Sequence, residues 1–256
     1  MRWLIGVMTC HKNYDKAQAQ RSTWVADVRA QNIADVIFFL GEPPKQKNRE
    51  PLQDEVLLPV DDSYLGLTKK IQAMCAWSAA RGYDYHSKCD DDVYAVPTRL
   101  RALSIEGYDY SGRFRGPHGS LPAHFASGFF YTLSQRADEL VASSIWNGDW
   151  LEERFVANRL ALDGIFGYND PVSYKVCGPT VSAKELLKRK LLADGTVFCE
   201  YTAQQQAELH ALLRNLPPVT GHPGLRQVPK VNITQAQFDA APSDKPPVHK
   251  IERYLR

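Results

Sequence analysis

Three carboxylates stand side by side at Asp90-Asp91-Asp92, directly after the aromatic-rich run Tyr83-Asp84-Tyr85-His86-Ser87-Lys88-Cys89. Like charges this close repel, so the arrangement is costly unless a cation or bulk water offsets it. An all-oxygen donor set suits Mg²⁺ or Mn²⁺. Taken alone, such a triplet is more often a solvated acidic turn between two elements.

The elements around the triplet read as alternating strands and helices. Residues 2–9 are a short apolar run broken by Cys10-His11-Lys12-Asn13, and 14–28 return to helix-favouring residues. Val36-Ile37-Phe38-Phe39-Leu40 is β-branched and aromatic and stops at Gly41, and Val56-Leu57-Leu58-Pro59-Val60 makes another short strand. From Leu67 the apolar positions Leu67, Ile71, Met74 and Trp77 recur at helical spacing until Gly82, a C-terminal signal. That helix feeds a strand over 83–89, which carries the triplet at its C-terminal end, where open α/β sheets gather ligands. Pro97 suits the first position of a helix over 97–106. Strands are expected at 109–114 and 126–134, and helices at 135–143 and 150–162, the latter with Asp149 as cap. Beyond these, 174–177 and 196–199 read as short strands, 203–213 as a helix, and 216–247 as a proline-studded stretch with little periodicity. The alternation predicts an α/β fold, a mainly parallel central sheet flanked by helices. One domain over 1–215 is expected, followed by an irregular Pro-rich tail over 216–256 packed on or near it.

At 256 residues, 44% hydrophobic and 23% charged, the chain can bury a sizeable core. A formal net charge of +2 is too mild to argue for nucleic acid or membrane on charge alone. The apolar stretch 3–8 falls far short of the roughly 20 residues of a membrane span, and no signal-peptide pattern follows it. Cys10, Cys75, Cys89, Cys177 and Cys199 form an odd set without CxxC or Cys/His spacing, so neither zinc nor a disulfide framework is expected. A reducing cytoplasm fits that set.

Six segments occur in order: Arg21-Ser22-Thr23-Trp24, Phe38-Phe39-Leu40-Gly41, Asp62-Ser63-Tyr64-Leu65-Gly66-Leu67-Thr68-Lys69-Lys70, Lys88-Cys89-Asp90-Asp91-Asp92-Val93-Tyr94, Ser127-Gly128-Phe129-Phe130-Tyr131-Thr132-Leu133-Ser134 and Glu152-Glu153-Arg154-Phe155-Val156. They resemble the R-x-T-W, F-L-L-G, D-S-Y-x-N-L-T-x-K, K-x-D-D-D-V-F, S-G-G-G-Y-x-L-S and E-D-V-Y-V motifs of glycosyltransferase family 31, the β-1,3-galactosyltransferase and Fringe-like enzymes. The likeness runs over residues 4–165 and more faintly to 213. It implies the GT-A nucleotide-sugar fold and a metal-dependent, inverting transfer of a hexose from a UDP-sugar, galactose ahead of N-acetylglucosamine and glucose. Lacking the membrane anchor of the animal Golgi members, the chain is expected to be a soluble bacterial or viral cytoplasmic member, or else a catalytic domain trimmed from a longer protein.

The resemblance also assigns residues. The triplet becomes the DxD-type site for Mn²⁺ or Mg²⁺, with Asp92 the direct ligand, Asp90 a further one, and Asp90 and Asp91 beside the donor. Thr9, Arg21, Lys70 and Gly128 would contact the donor; Arg suits oriented phosphate contacts and Lys a point charge, while glycine admits a close approach. For Arg21 the structural alternative is an ion pair with an acid, and for Lys70 a solvated side chain. Glu153 stands where the family places its catalytic aspartate, in a helical first turn whose positive end favours the ionised base. It is one methylene longer than the family residue, Glu152 is its rival, and both could simply decorate a helix end. The family's second metal ligand is a late histidine, where this chain offers Glu200, with His222 and His249 as fallbacks.

The acceptor is expected to be a glycan or glycolipid, bound by loops such as 114–124. A hydroxylated base in DNA is a less favoured acceptor, because no basic stripe with interleaved aromatics stands out. The two departures from the family pattern also leave open a sugar-nucleotide or glycan binding module with impaired catalysis.

Overall fold

The computed structural model describes residues 1–43, 50–103, 105–116, 124–170, 174–176, 196–199, 201–217 and 225–240. The first strand, β1 (Trp3–Met8), buries all six of its residues, as a continuous apolar run does inside a parallel sheet. The sequence predicts one helix over 14–28; the structure has two, α1 (Tyr14–Arg21) and α2 (Trp24–Ala30). The break has a local cause: the Thr23 hydroxyl donates to the Ala19 carbonyl at 2.6 Å while its backbone leaves the helical region at φ −120°, ψ −114°. Trp24 is thereby turned inward and fully buried.

Next come β2 (Asp35–Glu42), β3 (Glu55–Asp61), a 3-10 turn at Tyr64–Gly66, α3 (Leu67–Ala79) and β4 (Tyr85–Asp90). After β5 (Tyr94–Ala95), α4 spans only Pro97–Leu100, shorter than predicted. Leu100, Leu103 and Ile105, at spacings of three and two, all enter the core, which a continuing helix would not permit. The chain proceeds through β6 (Tyr110–Arg115), β7 (Phe125–Ser134), α5 (Gln135–Ala142), α6 (Glu152–Leu162), β8 (Tyr168–Asn169), β9 (Tyr174–Val176) and β10 (Val197–Cys199). Then α7 (Ala203–Leu213) opens on a capping box between Thr202 and Gln205, and β11 (Arg226–Gln227) and α8 (Gln235–Asp239) follow.

Among the described residues, eight strands make one sheet in the order β11-β8-β6-β7-β4-β1-β2-β3, and β5-β10-β9 make a smaller one. Pairing is parallel for β1 with β2 and β4, β2 with β3, and β6 with β8; β7 runs antiparallel to β4 and β6, and β11 to β8. Because strand side chains alternate, Ile5 and Val7 join α2 and α7 in one core, while Leu4 and Met8 join α3, α5 and α6 in the other. The described part of the C-terminal stretch packs on that second layer. Phe238 is buried with its ring 5.6 Å from Phe155, and the Asn147 amide donates to the Phe238 carbonyl at 2.6 Å. Among the described residues no helix is long and apolar enough to cross a membrane.

Candidate active site

β4 ends at Asp90, level with Met8 at the end of β1, so the acidic triplet sits at the C-terminal edge of the parallel strands. Its backbone is gripped by neutral donors. Gln20 Nε2 donates to the Asp90 and Val93 carbonyls at 3.0 and 2.9 Å, and Trp24 Nε1 to Val93 at 3.1 Å. The Tyr201 amide meets the Asp92 carbonyl at 3.0 Å, and Gln206 Nε2 the Asp91 carbonyl at 3.3 Å. The three side chains then part company. Asp91 is buried and accepts from Thr9 Oγ1 at 2.8 Å and Asn13 Nδ2 at 2.9 Å, with Lys16 Nζ at 3.5 Å. Asp90 accepts from Lys88 Nζ at 2.6 Å. Asp92 has no side-chain partner among the described residues, and burial, then the charges of Asp90 and Asp91, push it up to about 7.

The facing wall is the first turn of α6. Asp149 is expected as its cap, but the helix opens at Glu152 and Asp149 serves as an anchor. Its carboxylate takes Arg154 through two bonds of 2.8 and 2.7 Å and the Leu151 amide at 3.0 Å, all buried or nearly so. Its carbonyl accepts from Thr68 Oγ1 of α3 at 2.8 Å. The two glutamates that follow are not equivalent. Glu152 is buried and fully engaged, accepting from the Tyr131 hydroxyl at 2.7 Å and Lys88 at 2.9 Å. Glu153 has no side-chain partner among the described residues; burial, then the charge of Glu152, push it up to about 7. Gly128 lies against both: a Cβ there would come within 3.2 Å of Glu152 Oε1 and 3.3 Å of Glu153 Oε2.

Lys88 joins the two walls and is a residue that the site assignment from sequence passed over. Its ammonium donates to Asp90, Glu152 and the Gly128 carbonyl. Burial opposes its charge, but Asp90 and Glu152 outweigh burial and hold it well above the ordinary lysine range. Its position at the head of the Lys88-to-Tyr94 motif was the available signal. Asp62 was likewise passed over: it accepts from the backbone amides of His11 and Gly41 at 2.8 and 2.7 Å and from Lys70 Nζ at 2.6 Å.

The other expected donor contacts divide. Thr9, Asp90, Asp91, Asp92, Lys70, Gly128 and Glu153 all line one cleft of about 300 Å³. Lys70 is neither solvated nor free, because its buried ammonium is committed to Asp62 and, at 2.9 Å, to the Thr9 carbonyl. Arg21, expected at the diphosphate, is away from this cleft. It forms ion pairs with Asp54 at 3.0 Å and Glu55 at 2.7 Å and lies 4.0 Å over the Phe38 ring, so its structural alternative is what the fold uses. Cations that do reach the cleft with partly exposed side chains are Lys16 and Arg115, the latter braced on Ser127 Oγ at 2.9 Å. Glu200, His222 and His249 lie outside the described residues, as does most of the 114–124 loop.

Among the described residues, three metal-type ligand atoms converge within 4.8 Å at Cys75, His86 and Asp138. This group is buried beneath α3 and α5, away from the cleft, with His86 Nδ1 and Asp138 Oδ1 3.0 Å apart. Burial, reinforced by Asp138, raises the Cys75 thiol well above its usual range, so it remains a neutral core group.

No protein-family model matches the chain, and no curated protein matches its sequence. Its fold does match solved structures. A glycosyltransferase involved in the glycosylation of the major capsid of PBCV-1 aligns with a TM-score of 0.50 at 12% identity, over 83% of this chain and 100% of that one. The fold is the GT-A one. The catalytic domain of Drosophila β1,4-galactosyltransferase 7 in complex with xylobiose aligns with a TM-score of 0.41 at 10% identity, over 100% of this chain and 79% of that one. A mutant of the same enzyme with manganese, UDP-Gal and xylobiose aligns with a TM-score of 0.41 at 9% identity, over 100% and 80%. In this GT-A sheet the cleft lies outside the carboxyl ends of β1 and β4, where such sheets bind ligands.

Proposed function

We propose that the protein is a metal-dependent inverting glycosyltransferase that moves a hexose, galactose first, from a UDP-sugar to a hydroxyl of a glycan or glycolipid. The observation that carries this reading is the pair of walls. Across one cleft, Asp92 and Glu153 are the carboxylates without side-chain partners among the described residues, and both are pushed up to about 7. The ordered family-31 motifs and the GT-A sheet support it.

The donor set fits a hard divalent cation: Asp92, with Asp90 beside it, offers oxygen ligands whose mutual repulsion such an ion relieves. By the family resemblance, Glu200 would be a further ligand. When bound, Mn²⁺ or Mg²⁺ supplies Lewis-acid stabilisation of the diphosphate leaving group. Glu153 takes the proton from the acceptor hydroxyl, and a pKa near the working pH is what a general base requires. Glu152 and Lys88 hold the α6 turn against the triplet. Lys16 and Arg115 are the side chains that meet the diphosphate, the role the motifs would give Arg21.

UDP release from UDP-galactose, UDP-N-acetylglucosamine and UDP-glucose tests this directly. Release with Mn²⁺ and an acceptor mixture is expected, with loss on adding EDTA and in Asp92→Ala, whose metal-free melting temperature should be no lower than the wild type's. Full activity in Asp92→Ala, or no release from any of the three donors, overturns it.

A further inference from the structure

The α6 wall of the cleft carries more than carboxylates. Tyr64, in the 3-10 turn between β3 and α3, lines the cleft beside Glu153, and Trp150 stands two residues before α6, next to its cap Leu151. Their ring centroids are 6.1 Å apart at an interplanar angle of 41°, and both side chains are partly exposed. Trp150 is not loosely hung there. The Arg154 guanidinium lies 6.0 Å from its ring centroid and is itself fixed by Asp149. Trp146, also exposed, precedes Trp150 in the same loop, its Nε1 donating to the Asp149 carbonyl at 2.9 Å and Lys69 Nζ lying 4.6 Å over its ring.

We infer that Tyr64 and Trp150 form the acceptor subsite, a tilted aromatic wall that takes the C–H face of a neutral pyranoside and presents one of its hydroxyls to Glu153. The inference rests on the glycosyltransferase reading and specifies its acceptor. Three physical points carry it. Aromatic area left open to water beside a polar cleft marks a binding surface for an amphipathic ligand. A pyranose ring is such a ligand, with weakly positive C–H groups on one face that suit the negative face of an aromatic ring and hydroxyls around its edge. The wall also favours a neutral acceptor over a polyanion: it stands next to Glu153, Arg154 is taken up by Asp149, and the partly exposed cations of the cleft, Lys16 and Arg115, are those that meet the donor diphosphate. Burial and then Glu153 push the Tyr64 phenol up to about 12, so it stays a neutral hydrogen-bond donor next to the base.

Saturation-transfer NMR on the 256-residue chain with UDP and diamagnetic Mg²⁺ reads this subsite without turnover, using methyl β-D-galactoside, β-D-glucoside and β-D-xyloside as probes. One face of at least one glycoside should saturate in the wild type. That signal should fall about fivefold or more in Tyr64→Ala and Trp150→Ala and return in Tyr64→Phe, which keeps the ring. Should an alanine variant melt early, Tyr64→Leu and Trp150→Leu keep the wall apolar while removing its π face, and the same loss is expected. In transfer assays the acceptor KM should rise about tenfold in Trp150→Ala while the UDP-galactose KM holds. If the wild type never releases UDP, the glycosyltransferase reading fails while the NMR result still decides the subsite. Three results overturn the inference: no glycoside saturates in the wild type, saturation is unchanged in folded variants, or a hydroxymethylcytosine oligonucleotide is affected instead. Weaker UDP binding in Tyr64→Ala with glycoside signals intact would give Tyr64 to the nucleotide base and overturn it as well.

Discussion

The two walls of the cleft are both acidic and are held by opposite means. The backbone of the triplet wall is suspended through carbonyls that accept from uncharged donors, Gln20, Trp24, Gln206 and the Tyr201 amide, which leaves the Asp92 side chain for other work. The α6 wall is held by charge, through the buried Asp149–Arg154 pair and the Glu152–Lys88 contact. Neutral hydrogen bonds are each worth about 1 kcal/mol net, whereas removing one partner of a buried ion pair costs about 3–5 kcal/mol. The triplet wall should therefore tolerate single losses in its support better than the α6 wall does.

The sharpest division is chemical. Glu153→Gln should lower kcat by about 10²- to 10⁴-fold yet keep the rise in melting temperature on adding Mn²⁺, while Asp92→Asn should lose that rise. Equal loss of the thermal shift in both variants would erase the division between the walls. Next in size, Asp149→Ala should destabilise the fold by about 3–5 kcal/mol in urea titration because it removes the carboxylate that pairs with buried Arg154. Gln20→Ala should cost about 1–2 kcal/mol for its two hydrogen bonds. Similar values for the two would mean the support does not differ in kind.

A smaller effect probes where the walls touch. Gly128→Ala places a Cβ against both glutamate carboxylates, so kcat should fall about tenfold with little change in Mn²⁺ response. The smallest is electrostatic. Between its ordinary 4.5 and about 7, Glu153 holds its proton more tightly in the folded chain than in the unfolded one, so its contribution to stability declines as pH rises through that window. Glu153→Gln should melt above the wild type at about pH 8 and match it at about pH 4. A wild type that melts higher at the alkaline end would show Glu153 to be paired. In activity, the same ionisation makes kcat rise with pH through about 7, a limb that the Gln variant should lack.

Local pattern accounted for much of the scaffold. The helical spacing of Leu67, Ile71, Met74 and Trp77 predicts α3, and 203–213 form a helix with the predicted bounds. Irregular backbone was harder: the Thr23 hydroxyl bond that splits the first helix and the turn that follows Leu100 depend on what the core accepts. At the site, the acidic triplet was conspicuous because its residues are adjacent. The fate of each carboxylate was not, since Asp91 is claimed by Thr9 and Asn13, partners that lie about 80 positions away along the chain. Arg21 illustrates the reverse. Its motif placed it near the donor, but Asp54 and Glu55 captured it.

By itself, the sequence determined an alternating α/β chain with an acidic triplet at a strand end and a glutamate pair at a helix start, because those features depend on neighbouring residues and on the periods of strand and helix. Tertiary structure alone decided which carboxylates remained without partners. Burial and pairing are set by contacts across the chain: Lys88 and Tyr131 consume Glu152, Thr9 and Asn13 hold Asp91, and Asp92 and Glu153 are left facing one cleft.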